Sequence, residues 1–166
     1  MKKETYIKMT QPFREHPEMA KGIHIANKLC TGTMYMAYPL LLLYMFWQQD
    51  NGLLCSIIVP AVSFVLLSIG RDKLNRPRPY ETFEMPPVIK KDTKGHSFPS
   101  RHVFSAAMIA LTFLFMLPWM WLGICFLAVT AVLAVVRVVS GVHYISDVLA
   151  GIAVAVVAAY IGYVLM

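Results

Sequence analysis

The chain is poor in charge. Only 14% of its 166 residues are Asp, Glu, Lys or Arg, against 58% hydrophobic, where a soluble domain carries about 25% charged residues. That imbalance excludes an ordinary water-soluble domain and points to lipid. Cysteine is scarce as well. Cys30, Cys55 and Cys125 lie in or beside apolar stretches with no CxxC spacing, which argues against a disulfide framework or a zinc site and reads them as small buried hydrophobes. Residues 1–30 carry charges throughout and lack a continuous apolar core, so no secretory signal peptide is expected. Internal repeats and low-complexity tracts are missing too. Acidic residues are outnumbered, and the net charge is +6, but the Lys and Arg fall in two blocks, residues 2–28 and 71–101, plus Arg137. Such blocks lie at the headgroup level of a membrane or form an anion site. Nucleic-acid binding is not expected.

What is present is a set of uncharged runs. Crossing a hydrocarbon core of ~30 Å takes about 20 helical residues. Leu29–Gln49 supplies 21 uncharged residues and Asn51–Gly70 another 20, joined by a polar turn at residues 48–52. The 34 residues from Val103 to Val136 carry no charge at all; that is too long for one span, and Pro118 at the centre marks a tight turn between spans three and four. Span five starts near His143 and has 19 uncharged residues after Asp147. The expected fold class is therefore all-α, a polytopic membrane helical bundle of about five spans, in one domain over residues 1–166. Residues 1–28 form an amphipathic segment, read as an interfacial helix broken near Pro17, with disorder of the first ten residues as the alternative.

Span counting brings the polar groups together. Residues 71–101 hold eight basic residues and five prolines and lie outside the hydrocarbon. They leave span two at Arg71 and enter span three at His102. Spans three and four form a hairpin, so Arg137 returns to the same membrane face, where His143 and Asp147 open span five. His143 and Asp147 are four residues apart and share a helical face, and a carboxylate that accepts the Nδ1 proton leaves Nε2 free as nucleophile or base. A structural helix-start pair explains the same spacing. Arg71, Arg78, Arg101 and Arg137 are candidates for a phosphate clamp, because guanidinium groups match phosphate oxygens bidentately. Lys2, Lys3, Lys8, Lys90, Lys91 and Lys94 read mostly as ordinary flanking charge. Ser100 at the start of span three can bond a phosphate oxygen or cap its helix. No carboxylate or histidine cluster at ligand spacing supports a metal.

Three stretches resemble the signature of the type 2 phosphatidic acid phosphatase superfamily. They are Arg71-x6-Arg78-Pro79, Pro99-Ser100-Arg101-His102 and Arg137-x5-His143-x3-Asp147, and the match runs over residues 71–151. The resemblance implies a membrane lipid phosphatase that needs no cofactor. It assigns His143 as the nucleophile that forms a phosphohistidine, Asp147 as its orienting partner, and His102 as the acid that protonates the leaving oxygen. Arg71, Arg78, Ser100, the backbone around Arg101, and Arg137 form the phosphate cradle. The first position is usually Lys and here is Arg71; the third position of the second motif is commonly Gly and here is Arg101. Val136 stands where Ser is usual, and the count of five spans is one short of the common six.

The resemblance leaves the substrate open among undecaprenyl pyrophosphate, phosphatidylglycerophosphate and phosphatidic acid. Transfer to an acceptor other than water and a non-enzymatic anion or lipid transporter are the other readings. The expected partners are lipid phosphates and membrane lipids. All 15 Lys and Arg fall on the face that carries the site, which by the positive-inside rule favours the cytoplasm. Bacterial relatives place theirs outside, and a headgroup-binding loop is itself basic, so the extracytoplasmic side is preferred by a small margin.

Overall fold

The computed structural model describes residues 3–91 and 93–165. Among the described residues seven helices follow one another: α1 (Lys3–Glu15), α2 (Pro17–Trp47), α3 (Leu53–Leu74), α4 (Pro79–Thr82), α5 (Arg101–Met116), α6 (Met120–Val139) and α7 (Ile145–Tyr160), the last running into a π-turn at Ile161–Leu165. No strand occurs among the described residues. Four segments, within α2, α3, α6 and α7 with their continuations, are long and apolar enough to cross a membrane; α5 is a shorter apolar helix. The protein is a polytopic membrane bundle.

The apolar residues are not confined to an inward face. Leu40, Leu43 and Phe46 on α2, Val62, Val65 and Leu66 on α3, and Val132 and Val135 on α6 are all exposed, as expected of helices solvated by acyl chains. α5 is the exception, buried from Val103 to Phe113 except at Ser105. At 16 residues it is roughly 24 Å long, short of a full hydrocarbon core, and its neighbours shield it from lipid. Small residues let it pack closely. Ala155 and Ala159 of α7 are buried against Phe104, Ala107, Met108 and Leu111. A Cβ on Gly151 would stand 2.9 Å from the Ser100 carbonyl oxygen, so glycine is needed where α7 crosses the start of α5.

The Pro118 turn falls where the sequence places it, between α5 and α6, and Gln48–Gly52 links α2 to α3. Two expectations change. The first span is not a helix that starts near Leu29: α2 begins at Pro17, proline at its first position, where the missing N–H costs nothing. Residues 17–28 are thus the outer turns of a 31-residue helix, and only α1 is a separate amphipathic piece. It is ordered from Lys3, and it buries Tyr6 and Thr10. The cysteines are unpaired, but none is fully buried; Cys30 and Cys55 are half-buried and Cys125 is exposed, because a lipid-facing helix position is already apolar.

Candidate active site

Helix ends build the site. Arg71 sits in the last turn of α3, Arg137 in the last turn of α6, Ser100 at the cap of α5, and Asp147 at the third position of α7. Arg78 caps the short α4, and His143 occupies the turn between α6 and α7. All six are buried. His102 is half-buried one residue into α5, whereas Arg101 beside it is exposed.

Asp147 is the hub. Its Oδ2 accepts from Ser97 Oγ at 2.5 Å and from the Tyr144 N–H at 2.9 Å, which caps α7. Its Oδ1 meets Arg76 Nη1 at 2.8 Å. His143 Nδ1 lies 3.5 Å from Oδ2, longer than an ordinary N–H···O bond, so the pair is aligned but not closed. Contacts of this kind tighten when charge appears on the ring. The Asp147 carbonyl accepts the Ser100 N–H at 2.9 Å, which locks the second motif to the third.

The arginines divide their work. Arg78 gives Nε to the Gly95 carbonyl at 3.0 Å, Nη1 to Val142 at 3.1 Å and Nη2 to His96 at 3.4 Å, so it fastens the long loop to the turn that carries His143. Arg71 Nη1 donates to the Pro99 carbonyl at 2.5 Å. Arg137 differs: Nη1 donates to Asn27 Oδ1 at 3.1 Å, while its Nε and Nη2 are buried without a partner, as is Ser100 Oγ. Ser100 makes no side-chain cap bond to its own helix. Buried donors are nearly always satisfied, so these groups are suited to hold an anion. Among the described residues no three of His, Cys, Asp or Glu cluster to hold a metal ion.

Electrostatics agree with an anion site. Burial and the nearby Arg137 and Arg78 charges push His143 down to about 3, against the upward pull of Asp147, which keeps the ring neutral at ordinary pH. Burial, then the charges of Arg137, Arg78, Arg71 and Arg101, push the Lys91 amine down to about 7. Half-buried and within reach of those charges, Lys91 is a further candidate cation of the site. Arg76, Ser97, Asn27 and Lys91 are the residues that sequence reasoning missed. Arg76 does lie within the first motif, and Lys91 and Ser97 between the first two, the one available hint.

The pattern of the PAP2 superfamily matches residues 52–166, more than half of the chain, and the protein belongs to that superfamily, the type 2 phosphatidic acid phosphatases. Its fold is similar to that of Aquifex aeolicus LpxE, with 22% identity, a TM-score of 0.74, and coverage of 96% of this chain and 92% of that one. It is also similar to the transmembrane PAP2-type phosphatidylglycerolphosphate phosphatase of Bacillus subtilis, with 18% identity, a TM-score of 0.71, and coverage of 95% and 82%. No curated protein sequence matches the chain.

Proposed function

We propose that this protein is a metal-independent lipid phosphatase that works through a phosphohistidine at His143. One observation carries the reading: a buried His143–Asp147 pair shares a site with Arg137 Nε and Nη2 and Ser100 Oγ, which have no partner in the protein. The phosphoryl group occupies that gap, its oxygens held by Arg137, Ser100 Oγ and the remaining N–H groups of Arg71 and Arg78. These charges neutralise the equatorial oxygens in the transition state, the service a metal gives elsewhere.

His143 Nε2 attacks phosphorus, the bond from phosphorus to the lipid oxygen breaks, and His102, which takes up a proton as the phosphate dianion offsets the neighbouring Arg137, Lys91 and Arg101 charges, gives that oxygen its proton. Asp147 holds the imidazolium that results. Water then attacks the phosphohistidine and passes a proton to His102. The N–P bond breaks and inorganic phosphate leaves, with both histidines restored.

The surroundings of His102 support a lipid leaving group. It lines a narrow cleft with Thr31, Met34, Tyr35 and Ser105. Tyr35, Ser105 and Ile109 continue from that cleft into an apolar groove of about 370 Å³ bounded by Leu42, Ile57, Pro60 and Phe64. A tail released at His102 thus has an apolar path into the bilayer. We place this end of the bundle at the outer membrane face; a Cys in place of Lys94 should react with an impermeant maleimide in intact cells, and protection until lysis reverses the orientation.

The deciding assay is phosphate release by purified protein from phosphatidic acid, phosphatidylglycerophosphate and undecaprenyl pyrophosphate. Release from at least one is expected. No release from any, by protein that is folded and membrane-inserted, contradicts the reading.

A further inference from the structure

The superfamily match begins at residue 52, yet two side chains well before it reach the catalytic end. The first is Tyr6 on α1. It is fully buried, and its Oη donates to the Gly141 carbonyl at 2.9 Å, across 135 residues of sequence. Gly141 has φ +77°, and a Cβ there would fall 2.1 Å from Tyr6 Oη. The phenol therefore occupies the space that any other residue at 141 would claim. Its ring lies 4.9 Å from Phe83, which meets Tyr144 edge-on at 6.3 Å. Burial raises the Tyr6 phenol to about 12, so it remains a donor at ordinary pH. The turn that bears His143 is thus held from outside by α1.

The second is Asn27 on α2. Its Oδ1 accepts from Arg137 Nη1 at 3.1 Å, while Arg137 Nε and Nη2 have no partner. A guanidinium is planar, so fixing one N–H direction fixes the others. An amide oxygen does this without cancelling the charge that the phosphate needs.

We propose that residues 3–31 are a working part of the active site, with Tyr6 the positioning residue of the His143 turn and Asn27 the positioning residue of the Arg137 fork. The inference rests on the phosphatase reading. It separates the two effects. Loss of the Tyr6 hydroxyl loosens the nucleophile and lowers kcat while KM holds. Loss of the Asn27 acceptor misdirects the arginine and weakens every bound phosphate, substrate or product.

The test uses the full chain in detergent micelles, phosphatidic acid as substrate and inorganic phosphate as product inhibitor. Tyr6→Phe should lower kcat about five- to tenfold, the worth of one buried hydrogen bond, with KM unchanged. Asn27→Ala should raise KM and the inhibition constant of phosphate together by a similar factor, with kcat changed less. Asn27→Asp keeps the shape but sets a carboxylate on Arg137, and should weaken phosphate further still. Parameters within twofold of wild type overturn the inference, and so does a uniform loss that follows thermal stability. The substitutions are close in shape, so a variant that fails to fold assigns the contact to stability and overturns the positioning role as well. A wild-type chain that releases no phosphate from any lipid sinks the phosphatase reading instead, which keeps the two failures apart.

Discussion

Arg76 Nη1 stands 2.8 Å from Asp147 Oδ1, and the same guanidinium lies 4.3 Å over the ring of Tyr144. The carboxylate that faces His143 Nδ1 is thus pinned from its far side by a half-exposed cation. With Ser97 and the Tyr144 N–H on Oδ2, Asp147 cannot rotate away when the imidazole charges. Removing the carboxylate charge, as Asp147→Asn, should lower kcat by about a hundredfold or more, by analogy with other His–Asp pairs. Arg76→Met leaves the carboxylate in place and should cost about two- to fivefold, because the pair is partly solvated. Steady-state kinetics on both variants checks the order. Equal losses would mean that Arg76 acts on substrate directly.

Chelation separates arginine from metal chemistry. The donors that face the site are guanidinium groups and a hydroxyl, so activity should persist in EDTA. Vanadate, which mimics the five-coordinate phosphorus, should inhibit competitively. Complete loss in EDTA, restored by Mg²⁺, would contradict the clamp.

Lys91 gives the site a pH dependence. Burial, then the charges of four arginines, push its amine down to about 7, so it is expected to carry a charge below that pH and to lose it above. The sign follows: as pH rises through about 7, the cradle loses a positive charge and the inhibition constant of phosphate should rise. Phosphate titrates in the same range, so the readout is wild type against Lys91→Met. The two profiles should differ below pH 7 and converge above it. Parallel profiles would place the amine outside the cradle.

Arg101 is exposed at the first position of α5 while Arg71, Arg78 and Arg137 are buried. Arg101→Gly should therefore change turnover of a monophosphate and a pyrophosphate lipid by the same small factor, as a side chain that reaches out to headgroups would. A loss confined to the pyrophosphate lipid would return Arg101 to the cradle, as the binder of a second phosphate.

Much of this arrangement was legible in the sequence, and the remainder has a physical reason for being hidden. The uncharged runs and Pro118 marked the helices because lipid demands length and neutrality. His143 and Asp147 were visible as a pair by their spacing, although His143 lies in the turn before α7, so the cap of α7 and not a shared helical face brings them together. Arg76 and Ser97 reach Asp147 across 71 and 50 residues, and Asn27 reaches Arg137 across 110. No local period encodes such pairings; only the bundle brings them together. The start of α2 was missed because its charged outer turns stand above the hydrocarbon, where hydropathy carries no helix signal.

The central claim is a covalent phosphoryl group on His143. Purified protein mixed with a ³²P-labelled lipid phosphate and quenched in alkali should carry a base-stable, acid-labile label that maps to the peptide containing His143. His143→Ala should fold and insert but carry none. Full turnover without any protein-bound label, or label retained in His143→Ala, would contradict the account.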